Sequence, residues 1–437
     1  MRSSPVPNSR PTTPASQLAR NWISLLFLLA FGQLRAQTPA DIARLNQQIA
    51  PIATVRAGSG FADLAPLAPI VAPARVVALG ECTHGSHEVF QLKHRLLEYL
   101  VTQQGFTTFA LEVDYGYGEI LNEYIQTGAG DSLLVRKAAG DAVWDTAEFW
   151  DMMEWMRAYN QQHAVKIRYA GFDMQRPFPN LLRLESFATQ RADTVLQRRV
   201  QRLRTSYSAL SQATDQISAD IKQPLVHQLK ELAKHLQAVA APAAMQQHAR
   251  VLLQRIELLA DKHLADKHYN DGRDQAMATN VAWLLQQEPA AKIVLWAHNG
   301  HIRRDGYQPQ MGQHLGRQLG PAYVAVGFAT GHGTASVLNP DGTSRALTLA
   351  PPISNSYEAW LDQATPPIYL LNLNQAAAAD KWLTKGRKFR AIGLSESARG
   401  AEGQFLWYAP LPKAFDALFY LHETSASQIN PTARPAR

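Results

Sequence analysis

The sequence has one cysteine, Cys82, so it cannot form a disulfide within the chain. A reactive cysteine needs an electropositive setting, whereas Cys82 directly follows Glu81, and we interpret it as a small buried residue. No serine has glycine two positions before and two positions after it, which excludes the nucleophile elbow of serine hydrolases. The phosphate-cradling GxxxxGK[ST], the dinucleotide-binding GxGxxG and the zinc-binding HExxH motifs are also absent.

The sequence also lacks a long apolar run. The apolar core at residues 23–31 is about half the length of a membrane span, so we expect no stable span. Arginines precede this core and Ala36 follows it, an arrangement that predicts a signal peptide at residues 1–36 and export of the mature protein. The net charge of +7 includes four arginines in this segment, which leaves +3 in the predicted mature chain. So small a charge gives no indication of nucleic-acid binding.

The stretch at residues 75–100 organises the rest of the chain. An apolar run at 76–79 stops at Gly80, and Glu81 and His84 follow before an apolar helical pattern begins. This order predicts a buried strand, a glycine turn and a helix, with Glu81 and His84 where open α/β sheets bind ligands. Lys93 falls on the apolar stripe of the helix. It is either part of a site or a stem packed on the sheet whose ammonium reaches water.

Three further strand-like runs also end in polar groups. Glu112 follows an apolar run at 106–111, Asp173 follows one at 165–172, and His298 and His301 follow one at 293–297. If the strands are parallel, these groups converge at one edge of the sheet. The sequence therefore predicts an α/β fold with a mostly parallel open sheet flanked by helices. A pocket of histidines and carboxylates suits general acid–base chemistry.

The chain divides by pattern into five segments. After the signal peptide we predict the first half of the α/β core at 37–177 and a helical insertion at 178–270. This insertion is interpreted as either a structural bundle or a lid that contacts substrate. The second half of the core then occupies 271–424, with Arg273 near the start of a helix and on its buried face. The Ser-, Ala-, Pro- and Arg-rich residues 425–437 are predicted to be a disordered tail.

Together, several motifs resemble the erythromycin esterase family. They are GECTHG at residues 80–85, Glu88, Lys93, Glu112, RD at 273–274 and AHNGH at 297–301. The resemblance implies a hydrolase that needs no metal or other cofactor and opens a macrolactone ester, with His84 as general base. It also places Glu81, Glu112, His298 and His301 in the catalytic cluster.

The predicted substrate is a small-molecule ester or lactone. We assign its contacts to Lys93, Arg273, Glu88 and Asp173. Lys93 stands where the macrolide-inactivating members of the family carry arginine. Arginine and lysine are not equivalent where two parallel hydrogen bonds are needed, so this departure weakens the case for a macrolide.

Two other function classes stay open at this point. A metal- or haem-binding protein would use the same histidine and glutamate cluster as ligands. An exported polysaccharide-related protein without catalysis would need an aromatic cleft, for which Trp144, Trp150 and Trp155 are candidates.

Overall fold

The computed structural model describes residues 38–130, 132–139, 144–212, 219–260, 265–306, 309–379, 381–395 and 400–430. The predicted signal peptide therefore lies outside the described residues, as do the last seven residues of the predicted tail. The chain divides into two units, residues 1–44 and 45–437. The sheet and the site described below belong to the second unit. None of the described helices is both long and apolar enough to cross a bilayer.

Short runs of buried apolar residues form the strands. The strands, in chain order, are β1 (Ile49–Pro51), β2 (Val76–Leu79), β3 (Thr108–Asp114), β4 (Arg168–Asp173), β5 (Ile293–Trp296), β6 (Tyr323–Leu338), β7 (Ser344–Thr348), β8 (Ile368–Asn372), β9 (Arg387–Arg390), β10 (Phe405–Tyr408) and β11 (Ala417–Thr424). All four residues of β2 and of β5 are buried, as expected for central strands covered on both faces.

The main sheet has the order β1-β8-β11-β6-β2-β5-β3-β4, and β7 pairs with β6 outside this path. Neighbours from β11 to β4 are parallel, whereas β1, β7 and β8 are antiparallel to their partners. β9 and β10 form a separate antiparallel pair. The structure thus confirms the α/β class and the mostly parallel sheet.

Helices of the second unit cover both faces of the sheet. The α-helices follow one another along the described part of the chain. They are α1 (Pro39–Gln48), α2 (Ala68–Val71), α3 (His87–Gln104), α4 (Tyr115–Thr127), α5 (Ser132–Ala138), α6 (Ala147–Gln162), α7 (Pro177–Gln190), α8 (Thr194–Gln212), α9 (Ala219–Ala238), α10 (Ala243–Ala260), α11 (Ala265–Gln287), α12 (Asn299–Ile302), α13 (Met311–Leu319), α14 (Glu358–Leu361), α15 (Leu373–Ala379) and α16 (Leu411–Ala414). Apolar residues of α7 to α10 form a hydrophobic cluster separate from the two that flank the sheet.

Two glycines fix the turn between β2 and α3. A Cβ atom on Gly80 would lie 2.0 Å from the Asn299 side-chain oxygen, and one on Gly85 would lie 2.1 Å from the Ser336 carbonyl oxygen. The turn is therefore packed closely between α12 and β6, which leaves no room for a side chain at either position.

The predicted disordered tail is wrong for residues 425–430. These residues are hydrogen-bonded to the turn after β2 and to the start of α6. Their composition resembles that of a loose terminus, but the backbone is ordered by partners that lie more than 250 positions away in the sequence. Composition alone does not reveal such long-range pairing.

The buried Glu358 gives a stability prediction. Its Oε1 accepts the Arg390 backbone N–H at 2.7 Å, and its Oε2 has no partner among the described residues. Burial raises the pKa of this carboxyl to about 7, although hydrogen bonding and charge from Arg390 oppose the shift. A folded-state pKa above the unfolded value means that this group's contribution declines as pH rises from about 4.5 to about 7.

We therefore expect Glu358→Gln to raise the Tm at pH 8 by about 2 °C or more, and by much less at pH 5. Glutamine keeps an oxygen for the Arg390 N–H but carries no charge to bury. Thermal unfolding of both proteins at both pH values checks this, with the exposed Glu402→Gln as control. A variant that is less stable than wild type at pH 8 would show that the charged carboxylate is stabilising.

Candidate active site

The carboxyl ends of four adjacent parallel strands bring the predicted polar groups together. Glu81 follows β2, Asp173 is the last residue of β4, and His298 follows β5. Glu112 lies within β3 rather than after it, because this strand continues to Asp114 past an irregularity in its pairing with β4. Such irregularities redirect side chains at the ends of strands.

Glu81 is the centre of the first polar cluster. Its Oε1 lies 2.7 Å from His84 Nδ1, and its Oε2 accepts from Lys93 Nζ at 2.7 Å and from Trp296 Nε1 at 2.6 Å. Glu81 and Lys93 are fully buried, and His84 is 8% exposed. The Trp296 ring also lies under the Lys93 ammonium, 4.2 Å from ring centroid to Nζ. Both carboxylate oxygens of Glu81 therefore have hydrogen-bond partners inside the protein.

The charge on Glu81 is maintained by its neighbours. Burial by itself would raise the pKa of the Glu81 carboxyl, but Lys93 and His84 outweigh burial and lower that pKa. Burial lowers the pKa of the Lys93 ammonium to about 8, although Glu81 opposes this shift. The buried ammonium is thus the main reason that Glu81 stays ionised beside His84.

The structure does not support the predicted role of Lys93 as a substrate contact. Lys93 has no exposed surface, and its ammonium is held between Glu81 and Trp296. Its ammonium does not reach water either, as the alternative interpretation required. The helical stripe identified the buried face correctly, but only the fold shows that Glu81 and Trp296 occupy that face.

This arrangement predicts an alkaline limit to activity. Above about pH 8 Lys93 loses its proton, and Glu81 then loses the cation that keeps it ionised. We expect the kcat/KM of wild type to fall above that pH. Lys93→Arg should move this fall to higher pH, because a guanidinium does not deprotonate in this range. Identical alkaline limbs in the pH profiles of a folded, active Lys93→Arg variant and of wild type would contradict this role for Lys93.

A second cluster is organised around Arg273 of α11. Its Nη2 donates to Glu112 Oε1 and to Asp173 Oδ2, each at 2.7 Å. His301 Nε2 lies 3.1 Å from Arg273 Nη1 and 3.3 Å from Glu112 Oε1, while its Nδ1 lies 2.8 Å from Asp274 Oδ1. The structure therefore joins β3, β4, α11 and α12 through one set of paired charges.

The charges in this second cluster stabilise one another. Burial would raise the pKa of Glu112, but His301 and Arg273 outweigh it and hold that pKa well below its ordinary value. Burial would lower the pKa of His301, but Asp274 and Glu112 raise it. Burial also opposes the charge of Arg273, whose pKa is nevertheless raised by Asp173 and Glu112. The Glu112 carboxylate and the Arg273 guanidinium are therefore held in their charged forms beside the cavity.

His298 lies between the two clusters. Its ring centroid is 5.2 Å from that of His84, and its backbone N–H donates to Glu112 Oε2 at 3.0 Å. Its Nδ1 accepts the Gly300 N–H at 3.1 Å, which leaves the proton of a neutral ring on Nε2. Burial, together with His84 and His301, lowers the pKa of His298 to about 3. The ring is therefore a neutral donor whose buried Nε2 has no partner among the described residues.

A cavity of about 100 Å³ opens beside these groups. It is lined by His84, Glu112, Val113, Asp114, Tyr117, Trp144, Asp173, Gln175, Arg176, Arg273 and Leu394. Of the residues predicted to contact substrate, only Asp173 and Arg273 belong to this lining. Trp144 was considered only for a polysaccharide cleft, yet its ring meets the edge of His84 at 5.4 Å between centroids.

The predicted lid role of residues 178–270 does not agree with this cavity, since none of its lining residues comes from the part of that segment that the structure describes. The segment instead supports the cavity wall from behind. Asn180 of α7 donates to Asp114 Oδ1 at 2.7 Å, and His248 of α10 lies 2.9 Å from the Asn180 oxygen. Burial raises the pKa of Asp114 to about 8, although three N–H donors oppose this shift.

Glu88 is also placed away from the cavity, so the prediction that it contacts substrate is not supported. Its Oε2 accepts the Ser425 N–H at 2.6 Å and the Thr424 hydroxyl at 2.8 Å, and its Oε1 accepts the Ser425 hydroxyl at 2.8 Å. Burial would raise the pKa of Glu88, but these hydrogen bonds lower it. Glu88 therefore binds the end of the chain, at a sequence separation that no local pattern indicates.

Sequence reasoning missed Trp296 and did not assign a role to Asp274. Trp296 is the last residue of β5 and directly precedes the AHNGH motif. Its position at a strand end could therefore have predicted that it lies at the site. Asp274 follows Arg273 in the motif and binds both His301 and the Met311 N–H.

The metal-binding alternative can be compared with this geometry. Within the described ranges, no three His, Cys, Asp or Glu side chains are arranged so that they could hold one metal ion. The Nδ1 atoms of His84, His298 and His301 each have an internal hydrogen-bond partner. Metal independence itself stays a prediction that activity measurements must test.

Comparison with known proteins assigns this chain to a family. The erythromycin esterase family model matches residues 101–424, which leaves the motif at 80–85 just before the matched region. Erythromycin esterase type II of Escherichia coli is 26% identical over 328 residues, which cover 64% of this chain and 75% of that protein.

Solved structures extend the likeness. A succinoglycan biosynthesis protein has a TM-score of 0.78 and 27% identity, covering 91% of this chain and 100% of that one. An erythromycin esterase mutant in its open conformation has a TM-score of 0.64 and 19% identity, covering 85% and 96%, which shows the shared fold. Because the family match spans well over half of the sequence, this chain belongs to the erythromycin esterase family, and that membership supports a hydrolase.

Proposed function

We propose that the protein hydrolyses a carboxylic ester or lactone by direct attack of water, with His84 as the general base. The observation that carries the proposal is the contact between His84 Nδ1 and Glu81 Oε1 at the cavity. An ionised carboxylate can only accept a hydrogen bond, so Nδ1 carries the proton and Nε2 keeps its lone pair. This lone pair takes a proton from water as the water oxygen attacks the carbonyl carbon.

The remaining steps balance within the site. The proton taken by His84 passes to the leaving alkoxide, so the products are a carboxylic acid and an alcohol. Glu81 stabilises the imidazolium that forms in between. The Nε2–H of His298 is the proposed donor to the developing oxyanion, because it is protonated, buried and next to His84. Removing one such donor typically costs ~3 kcal/mol of transition-state stabilisation.

Substrate contacts are proposed for the charged residues of the cavity wall. Arg273 and Asp173 line the cavity while also binding each other, and the ring of Trp144 faces His84. In this proposal Glu112 and His301 hold Arg273 in place rather than react with substrate. The substrate is a small molecule.

The test is a hydrolysis screen of macrolactones, simple lactones, alkyl and aryl esters and acylated polysaccharides. Polysaccharide esters are included because one similar structure is named a succinoglycan biosynthesis protein. We expect release of acid with at least one of the small-molecule classes. Hydrolysis of the polysaccharide esters alone would contradict a small-molecule substrate. Hydrolysis of none by protein that is folded and monodisperse would contradict the proposal.

We also expect kcat to be unchanged, within about twofold, after dialysis against EDTA and 1,10-phenanthroline. A histidine base supported by a carboxylate can activate water without a Lewis acid. Metal analysis before and after dialysis serves as the control. Loss of activity that zinc or iron restores would favour a metallohydrolase.

We also propose that the protein is exported, because residues 1–36 have the sequence pattern of a signal peptide. N-terminal sequencing of protein recovered from outside the cytoplasm should begin after Ala36. Recovery of the uncleaved chain only in the cytoplasm would contradict it.

A further inference from the structure

Residues 425–430, here called the C-terminal strap, connect two turns that carry cavity residues. One turn follows His84 and the other follows Trp144. The strap forms isolated bridges to both turns, Ser86 with Ala426 and Thr146 with Ile429. The strap is therefore placed to set the position of the His84 ring relative to the Trp144 ring.

Backbone hydrogen bonds fasten the strap to the first turn. The Ser427 N–H donates to the Gly85 carbonyl, and the His87 N–H donates to the Ser425 carbonyl, both at 2.9 Å. The Glu88 carboxylate accepts the Ser425 N–H and hydroxyl from the other side. Gly85 directly follows His84, so these bonds restrain the backbone next to the proposed general base.

A second set of bonds fastens the strap to the start of α6. The Ala147 N–H donates to the Gln428 carbonyl at 2.9 Å, and the Gln428 N–H donates to Glu148 Oε1 at 2.9 Å. The Asn430 amide donates to Asp145 Oδ1 at 2.7 Å. His87 Nδ1 is also hydrogen-bonded to Glu148 Oε1, which joins the two turns directly.

Several of these contacts are buried, although Ser425 and Gln428 themselves lie at the surface. Glu148 is 4% exposed and Ser427 is 5% exposed, while Ser86 and Thr146 have no exposed surface. Ser336 of β6 closes the arrangement, since its N–H donates to the Gly85 carbonyl and its hydroxyl donates to the Ser427 carbonyl. Buried polar groups with this many partners define one geometry, because breaking any one bond leaves a donor or acceptor unsatisfied.

We infer that Glu88 and Glu148 are positioning residues that clamp the C-terminal strap and thereby hold His84 against Trp144 in the geometry that catalysis requires. The inference rests on the proposed role of His84. Neither carboxylate lines the cavity, so both act on His84 indirectly, through the strap and, for Glu148, also through its hydrogen bond to His87. Misplacement of a reacting group by about 1 Å can cost roughly 10²-fold in rate.

The test compares Glu88→Ala, Glu148→Ala and the double variant with wild type, at temperatures at which each is folded. We expect each single variant to lower kcat by about 10-fold or more with little change in KM. The double variant should cost hardly more than the worse single, because both carboxylates act through one segment. Glu88→Gln and Glu148→Gln keep an acceptor oxygen and should recover most of the loss in kcat.

Asp416→Ala is the matched control. Asp416 precedes β11 at the opposite end of that strand, where its carboxylate accepts the Ala325 N–H at 2.8 Å and pairs with Arg304. We expect this variant to lose stability but to retain kcat. Equal losses of kcat in Asp416→Ala and Glu88→Ala would reduce the effect to general destabilisation and overturn the inference.

A substrate-independent readout is the low-field proton resonance of His84 Nδ1–H, which reports its hydrogen bond to Glu81. This resonance should shift or broaden in Glu88→Ala and Glu148→Ala but not in Asp416→Ala. Wild-type kcat and an unchanged resonance in both alanine variants would overturn the inference. If His84→Ala is inactive at the same time, the proposed function still stands.

Discussion

Replacing His84 with alanine is expected to lower kcat by roughly 10²–10⁴-fold, the range for a positioned proton-transfer group. His84 is 8% exposed, and its imidazole lines the cavity and is held by the buried Glu81 at 2.7 Å. Its loss removes the only nitrogen in the proposed reaction that takes the proton of water. KM should change much less than kcat, because this interaction develops in the transition state.

His332 provides the matched control. It too lies 2.7 Å from a carboxylate, that of Asp362, but its side chain is 48% exposed and it is not part of the cavity lining. His332→Ala should keep kcat within about twofold of wild type. Near wild-type kcat in His84→Ala, with the Tm of both variants close to wild type, would remove His84 from the mechanism.

Glu81→Gln is expected to have the second large effect, a loss of kcat on the order of 10²–10⁴-fold. Three donors, from His84, Lys93 and Trp296, converge on the two carboxylate oxygens. An amide offers one oxygen and turns its NH₂ toward at least one of these donors. The change therefore disturbs the imidazole tautomer and removes the negative charge that stabilises the imidazolium.

Glu358→Gln is the control for this change. Glu358 is also a fully buried carboxylate, but it does not line the cavity. The Glu358→Gln variant should retain kcat and gain stability at pH 8, whereas Glu81→Gln should lose kcat. A Glu81→Gln variant that is folded and keeps kcat would rule out the proposed orienting role.

Much of the site follows from where polar residues interrupt apolar runs. Strand interiors in this chain are almost wholly apolar, so Glu81, Asp173 and His298 mark strand ends. Parallel pairing then brings those ends to one edge of the sheet. The same reasoning placed Arg273 on the buried face near the start of a helix. The structure shows its side chain spanning Glu112 and Asp173, but the helix begins earlier, at Ala265, so the predicted position at the helix start is wrong.

The misplaced residues have a common cause. Lys93 and Glu88 both lie in the organising stretch, and each has a partner from a distant part of the chain. Lys93 lies over Trp296 while it pairs with the nearby Glu81, and Glu88 binds Ser425. The strap was predicted to be disordered because its composition is that of a loose terminus. Residues that are hundreds of positions apart form their hydrogen bonds only in the folded chain. A local sequence period therefore does not predict these pairs.

The central claim is that water activated by His84 attacks the ester itself. It is tested most directly by a single-turnover reaction in H₂¹⁸O with enzyme in excess. We predict that the carboxylic acid released in that first turnover carries ¹⁸O, and that the quenched enzyme shows no added mass. An unlabelled acid together with ¹⁸O in an enzyme carboxylate would mean that a glutamate or aspartate attacked the ester. An acyl adduct on the protein would likewise contradict direct attack by water.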